Sequence, residues 1–107
     1  IPAGNLDSVD EDPLICAKRE LSEETGYTAN KYTQIHKLAT TVGFSNEWIY
    51  IYLAQDLVKG KQHTDDDEFI NLVEMPLSEA VDLVNKGEIF DAKSVVAILI
   101  AEKLCKQ

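Results

Sequence analysis

A short helix with both ends marked by residue type is the best specified local structure in this sequence. Asp12 can accept a hydrogen bond from the first helical turn, and Pro13 already has the backbone φ of a helix. Gly26 readily adopts the left-handed conformation that ends a helix. The pattern therefore predicts a helix over Pro13–Thr25.

One side of this helix is apolar and another is acidic. The apolar positions follow the helical repeat: Leu14, Ala17 and Leu21. Three carboxylates share the acidic face: Glu20, Glu23 and Glu24. Like charges at this spacing repel, and a hard divalent cation would offset the repulsion because Mg²⁺ takes carboxylate oxygens, waters and substrate phosphates as ligands. The spacing alone leaves open a second reading, a solvated acidic face relieved by Arg19, which lies four residues before Glu23.

Glycines and prolines divide the rest of the chain into short elements. Runs of β-branched and aromatic residues predict strands at 32–40, 48–54 and 69–74, with a loop at 41–47. A helix is predicted at 76–86, ending before Gly87, and Asp91 or Ser94 would cap a last helix that ends at Leu104. We therefore expect the order loop, helix, three strands, two helices.

Size and charge narrow the possible partners. The 107 residues suit one domain, and a net charge of −9 argues against nucleic acid or an anionic membrane as the main partner. The longest apolar run has seven residues, at 95–101, far short of the roughly 20 that a membrane-spanning helix needs. Cys16 and Cys105 lie far apart and predict neither a zinc site nor a disulfide, so we expect a reducing, cytoplasmic location.

The residues around the acidic helix resemble the Nudix box, whose pattern is Gly, a spacer, Glu, seven residues, then R-E-U-x-E-E-x-G-U. Gly4 and Glu11 supply the first part, and residues 19–27 read R-E-L-S-E-E-T-G-Y. Six residues separate Gly4 from Glu11, whereas the family usually has five. Either a one-residue bulge absorbs the difference, or Asp10 takes the acidic position.

Further stretches resemble the ADP-ribose pyrophosphatase branch of the Nudix hydrolases. They are Pro-Ala-Gly at 2–4, Gly-Phe-Ser-Asn-Glu at 43–47, and the acidic segment 65–70. The resemblance spans nearly the whole chain and implies an α+β fold, the Nudix α/β/α sandwich with a mixed sheet. Because the sequence opens inside a motif, we expect residues 1–107 to be a Nudix domain truncated at its N-terminus, without its N-terminal strands.

By this resemblance, five residues carry the metal and catalytic roles. Glu20, Glu24 and the backbone carbonyl of Ala3 would ligate divalent metal. Glu23 would assist them, and Glu68 would be the base that takes a proton from the attacking water. Composition alone favours a solvated acidic loop around Glu68.

Three residues would lie on the substrate side of the site. Phe44 would line the pocket, and Glu47 would contact metal or ribose, although either can be merely structural. Arg19 would orient Glu23, or form only a surface ion pair with it.

The resemblance implies Mg²⁺-dependent hydrolysis of ADP-ribose to AMP and ribose 5-phosphate, by water attack on phosphorus in a homodimer. Mn²⁺ is a possible substitute for Mg²⁺. Two alternatives stay open: the same chemistry on another nucleoside diphosphate derivative, such as a sugar nucleotide, a dinucleotide or an oxidised nucleoside triphosphate, and a Nudix-fold domain that binds without catalysis.

Overall fold

The computed structural model of the chain describes residues 1–4, 11–44, 47–60 and 72–105. These residues form three helices and two strands. In chain order they are α1 (Pro13–Thr25), β1 (Tyr27–Ala39), β2 (Trp48–Lys59), α2 (Leu77–Asn85) and α3 (Ala92–Cys105).

Helix α1 has the bounds that its sequence predicts. The Asp12 side chain accepts a hydrogen bond of 2.9 Å from the Leu14 N–H, so the first turn is capped. At the other end, Gly26 has φ 75 and its N–H donates to the Ser22 carbonyl oxygen at 2.9 Å. The prediction for this helix is confirmed.

Strands β1 and β2 pair with each other and are longer than the sequence predicts. The Thr40 N–H donates to the Glu47 carbonyl oxygen at one end, and the Gly60 N–H donates to the Gly26 carbonyl oxygen at the other, so the strands are antiparallel. β1 begins five residues before its predicted start, and β2 continues five residues past its predicted end. The added stretches are mostly polar, and backbone pairing extends through them regardless of side-chain preference.

The third predicted strand is not confirmed. Residues 69–71 lie outside the described part of the chain, and residues 72–74 are irregular, so the prediction is wrong for these last three positions. Leu72 and Val73 are exposed, and the preference of such residues for strands depends on packing against neighbouring side chains.

The last two helices are confirmed and pack against each other. Of the two predicted caps for α3, the structure selects Asp91, whose carboxylate accepts a 3.1 Å hydrogen bond from the Ser94 N–H. Hydrogen bonds from Ser94 and Lys93 lower the pKa of the Asp91 carboxyl.

The chain forms two compact units. The first contains Ile1–Thr33 and Tyr52–Leu72, and the second contains Gln34–Ile51 and Val73–Gln107. Apolar burial centres on Cys16 in the first unit, and on Ile51 and Ala80 in the second. Within the described ranges, no helix has both the length and the apolar character needed to cross a bilayer.

Candidate metal centre and active site

Three side chains of α1 form a row that faces the backbone of residues 3 and 4. Cys16, Glu20 and Glu24 are spaced by four residues and so share one side of the helix. The Ala3 N–H donates a 3.1 Å hydrogen bond to Glu24 Oε2, and Cys16 Sγ lies 4.0 Å from the Gly4 carbonyl oxygen. Between these contacts, Gly4 lies so close to Glu20 that an added Cβ would overlap the Glu20 carboxylate. The first unit therefore holds two of the predicted metal ligands against one stretch of backbone.

Arg19 connects the acidic residues beside this row. Its guanidinium forms a close ion pair with Glu11 and lies 3.6 Å from Glu20 Oε1 and 4.0 Å from Glu23 Oε1. Arg19 Nη2 also lies 3.5 Å from Cys16 Sγ. The predicted contact between Arg19 and Glu23 is present, but it is longer than the contacts to Glu11 and Glu20.

Glu11 reaches α1 in spite of the long spacer that precedes it. Its side chain is 12% exposed, whereas that of Glu23 is 53% exposed, so the Arg19 pair with Glu11 is the better shielded from water. Asp10, the alternative for this acidic position, lies outside the described residues. In the described structure, it is Glu11 that pairs with the arginine of the motif.

Among the described residues, this cluster has more negative than positive side chains. Four carboxylates, those of Glu11, Glu20, Glu23 and Glu24, lie on or against α1 around the single guanidinium of Arg19. Burial raises the pKa of the Glu20 carboxyl, and the charges of Glu24 and Glu23 raise it further, while Arg19 acts in the opposite direction. The site therefore favours binding of a positive charge, either a proton or a cation.

The donor set fits a hard divalent cation. Glu20 and Glu24 offer carboxylate oxygens from the same face of α1, and Mg²⁺ prefers oxygen ligands. Among the described residues, no three His, Cys, Asp or Glu side chains are already grouped to hold a metal ion. Backbone, water or substrate phosphate would therefore complete the shell, as is usual for Mg²⁺. The Ala3 carbonyl stays a predicted ligand, next to an N–H that already contacts Glu24.

The remaining predicted site residues belong to other parts of the chain. Glu68 lies outside the described residues. Phe44 and Glu47 belong to the second unit, where they border the connection between β1 and β2. The Phe44 side chain is 91% exposed. Their roles stay predictions.

Sequence reasoning did not find the close approach of Gly4 to Glu20. The signal was available, because Gly4 is part of the motif and a glycine often marks a place where backbone comes near another group. What could not be read from spacing was which helical residue it would meet, since residues 4 and 20 come together only through the tertiary fold.

Proteins of known activity resemble this chain over most of its length. It is 44% identical over 100 residues to the ADP-ribose pyrophosphatase of Bacillus subtilis (strain 168), covering 92% of this chain and 54% of the relative. The methanol dehydrogenase activator of Bacillus methanolicus is 41% identical over 100 residues, with the same coverage. The GDP-mannose pyrophosphatase of Cronobacter sakazakii (strain ATCC BAA-894) is 37% identical over 99 residues, covering 90% of this chain and 51% of the relative.

A solved structure shows the same fold. The crystal structure of an ADP compounds hydrolase matches with a TM-score of 0.80 and 30% identity, covering 94% of this chain and 54% of that chain. The chain thus spans about half the length of the relatives it matches. The NUDIX domain model matches residues 1–97, which include the acidic helix, residues 3 and 4 facing it, and both strands. The expected resemblance is confirmed, and the chain belongs to the NUDIX domain family.

Proposed function

We propose that this chain forms the catalytic domain of a divalent-metal-dependent hydrolase that cleaves ADP-ribose to AMP and ribose 5-phosphate. The observation that carries the proposal is the pair Glu20 and Glu24, held side by side against residues 3 and 4. Paired carboxylates on one helix face suit a metal that also binds the phosphates of a substrate.

Within this proposal, the described residues hold and order the reacting groups. Glu20, Glu24 and the Ala3 carbonyl would hold Mg²⁺, or Mn²⁺ in its place. When bound, such an ion supplies charge neutralisation at the non-bridging phosphate oxygens and lowers the pKa of bound water. Arg19 would orient the glutamates that it contacts, Glu11, Glu20 and Glu23, and the exposed side chain of Glu23 would assist the metal ligands.

The reaction transfers one water molecule across the P–O–P bridge. Water oxygen bonds to one phosphorus, the bond from that phosphorus to the bridging oxygen breaks, and the bridging oxygen leaves with the second phosphate. Glu68 is the proposed acceptor of the water proton. Phe44 is proposed to line the substrate pocket, and Glu47 is proposed to contact metal or ribose.

ADP-ribose is the preferred candidate substrate because the Bacillus subtilis relative, at 44% identity, is an ADP-ribose pyrophosphatase. A sugar nucleotide is the second candidate, since GDP-mannose pyrophosphatases are also among the relatives, at 37% identity in one case. Both substrates present the same diphosphate to the acidic row, so the difference between them lies in contacts beyond the metal. By the family resemblance, we further propose that the protein acts as a homodimer.

Product analysis tests this proposal directly. The purified protein is incubated with Mg²⁺ and, separately, with ADP-ribose, GDP-mannose, a dinucleoside polyphosphate and a nucleoside triphosphate, and the products are separated by chromatography. We expect AMP and ribose 5-phosphate from ADP-ribose. Preferred cleavage of GDP-mannose would keep the chemistry and reject the substrate, and no cleavage of any compound would favour a domain that binds without catalysis.

Two substitutions assign the roles. Glu24→Gln should lower turnover by more than the about 10- to 100-fold that outer partners of a metal usually contribute. Glu68→Gln should lower turnover by about two to four orders of magnitude, the usual contribution of a general base, while Mn²⁺ binding persists. Glu79→Gln, an exposed change on α2, is the matched control and should leave turnover unchanged. Wild-type turnover in Glu24→Gln would contradict the proposed metal site, and wild-type turnover in Glu68→Gln would place the base elsewhere.

A further inference from the structure

We propose that Gly4 is a positioning residue for the metal ligands: the absence of a side chain at this position determines where the Glu20 carboxylate lies. This inference rests on the proposed function, because it concerns residues proposed to hold the metal. It adds a role for the backbone of residues 3 and 4, which would place both carboxylates of the row.

Space, and not backbone conformation, requires glycine at this position. Gly26, Gly43 and Gly87 have positive φ, where glycine is favoured by backbone geometry, and Gly4 is not among them. A Cβ at residue 4 would instead overlap Cδ and Oε1 of Glu20 and lie 2.7 Å from Oε2. Any side chain here would therefore compete directly with the Glu20 carboxylate.

The neighbouring residue places the second carboxylate. The Ala3 N–H donates to Glu24 Oε2 at 3.1 Å, one peptide away from the Gly4 contact with Glu20. Because the peptide between residues 3 and 4 is planar, only the Cα–C bond of Ala3 can rotate between the Ala3 nitrogen and the Gly4 Cα, so the two contact points lie close together on the chain. The helical turn sets the spacing of Glu20 and Glu24 along α1, and two adjacent residues of one backbone stretch contact their carboxylates.

When Gly4 is substituted, the group that moves would be the Glu20 carboxylate. The atoms that a Cβ would overlap are the far end of a flexible side chain, so Gly4→Ala can be accommodated by rotation of Glu20. Helix α1 keeps its caps at Asp12 and Gly26, which are independent of this contact. We therefore expect weaker metal binding without loss of the fold, a combination that a purely structural glycine would not produce.

Mn²⁺ binding to the metal-free protein provides the test, since unbound Mn²⁺ is counted by electron paramagnetic resonance without any turnover. Gly4→Ala should weaken Mn²⁺ affinity by about 10- to 100-fold, the size of effect that follows when the orientation of a metal ligand is disturbed. Its urea midpoint and helical circular dichroism should match those of the wild type. Glu79→Gln, an exposed change on α2, is the control and should leave both the Mn²⁺ affinity and the urea midpoint unchanged.

A double-mutant cycle with Glu20→Asp makes the test specific to this pair. The Asp carboxylate is one methylene shorter and would be withdrawn from residue 4, so Glu20→Asp should weaken binding by itself. Adding Gly4→Ala to Glu20→Asp should then cost little more. An equal loss in both backgrounds would overturn the inference, because the glycine would then act on something other than Glu20.

The remaining outcomes separate this inference from the function on which it rests. Wild-type Mn²⁺ affinity in Gly4→Ala, together with weakened binding in Glu24→Gln, would overturn the positioning role alone. Unfolding of Gly4→Ala would also overturn it, because the carboxylate would not then be the group that yields. Wild-type affinity in Glu24→Gln, or no Mn²⁺ binding by the wild type, would overturn the metal site and the positioning role together.

Discussion

The Glu20 carboxylate is partly buried, lies near other charges and is a proposed metal ligand. Its side chain is 17% exposed, it shares α1 with Glu23 and Glu24, and the Arg19 guanidinium is 3.6 Å away. Burial and the two neighbouring carboxylates raise the pKa of Glu20 above its ordinary value of 4.5, against the effect of Arg19. A cation that binds this cluster therefore competes with protons for Glu20 as the pH is lowered.

The raised pKa of Glu20 predicts the pH dependence of the metal-free protein. The folded state binds this proton more tightly, so the stabilising contribution is present below the unfolded value of 4.5 and is lost as pH rises through the folded pKa. We expect the free energy of unfolding of the wild type, relative to Glu20→Gln, to fall as pH rises from about 4.5 toward neutrality. Urea unfolding in the presence of a chelator measures this difference.

The test depends on whether the stability of the wild type relative to Glu20→Gln falls or rises with pH. Glu79→Gln, exposed on α2, is the control and should follow the wild type across the same pH range. A wild-type advantage that grows with pH would contradict the prediction, because it would mean that the folded state lowers the pKa of Glu20 and that attraction to Arg19 outweighs burial.

At the scale of elements, the capping residues at the two ends of α1 determine where the helix begins and ends. The helix in turn carries Cys16, Glu20 and Glu24, which form the acidic row. Asp12 caps the first turn through a 2.9 Å hydrogen bond, and replacing such a cap with alanine typically costs about 1 kcal/mol. Asp12→Ala should lower the free energy of unfolding by about this amount in urea denaturation. Asp12→Asn is the matched control, since asparagine caps as well as aspartate does. Equal losses in the two variants would show that charge, and not the cap, is what Asp12 contributes.

Elements whose ends are marked by capping residues could be predicted from the sequence. Elements whose ends depend on pairing with another strand could not. Helix α1 has its cap, proline and glycine within one continuous stretch, so its bounds follow from local chemistry. The ends of β1 and β2 depend on pairing across the sheet, which extends both strands through polar residues such as Lys31 and Gln55. Residues 72–74 show the converse, because Leu72 and Val73 favour a strand by residue type but are irregular in the structure.

The candidate site also has parts that could be predicted from local sequence and parts that could not. The helical repeat by itself places Glu20 and Glu24 on one face of α1. The contact of Gly4 with Glu20 and the pairing of Glu11 with Arg19 involve residues from outside α1, so they required the tertiary fold. Sequence spacing predicts which side chains share a surface, whereas tertiary contacts decide what lies against that surface.

At the scale of the whole molecule, charge bears on self-association. The chain has a net charge of −9, so two copies approaching each other repel before any interface forms. Apolar side chains are nevertheless available at the surface: in the second unit, Val42 is 85% exposed, Phe44 91% and Trp48 55%. A homodimer would therefore be favoured by apolar contact and opposed by net charge.

This balance predicts that the proposed homodimer strengthens with salt. Added salt screens repulsion between like-charged protomers and leaves apolar contact largely intact, because the Debye length shortens from about 30 Å at 0.01 M to about 8 Å at physiological ionic strength. Sedimentation equilibrium in KCl with a chelator should give a mass that rises from near 11.9 kDa toward twice that value as salt increases. The chelator matters because bound divalent ions would reduce the net charge and mimic the effect of salt. A mass that falls with salt would mean that opposite charges hold the interface, and a single mass of one protomer at every concentration would reject the homodimer.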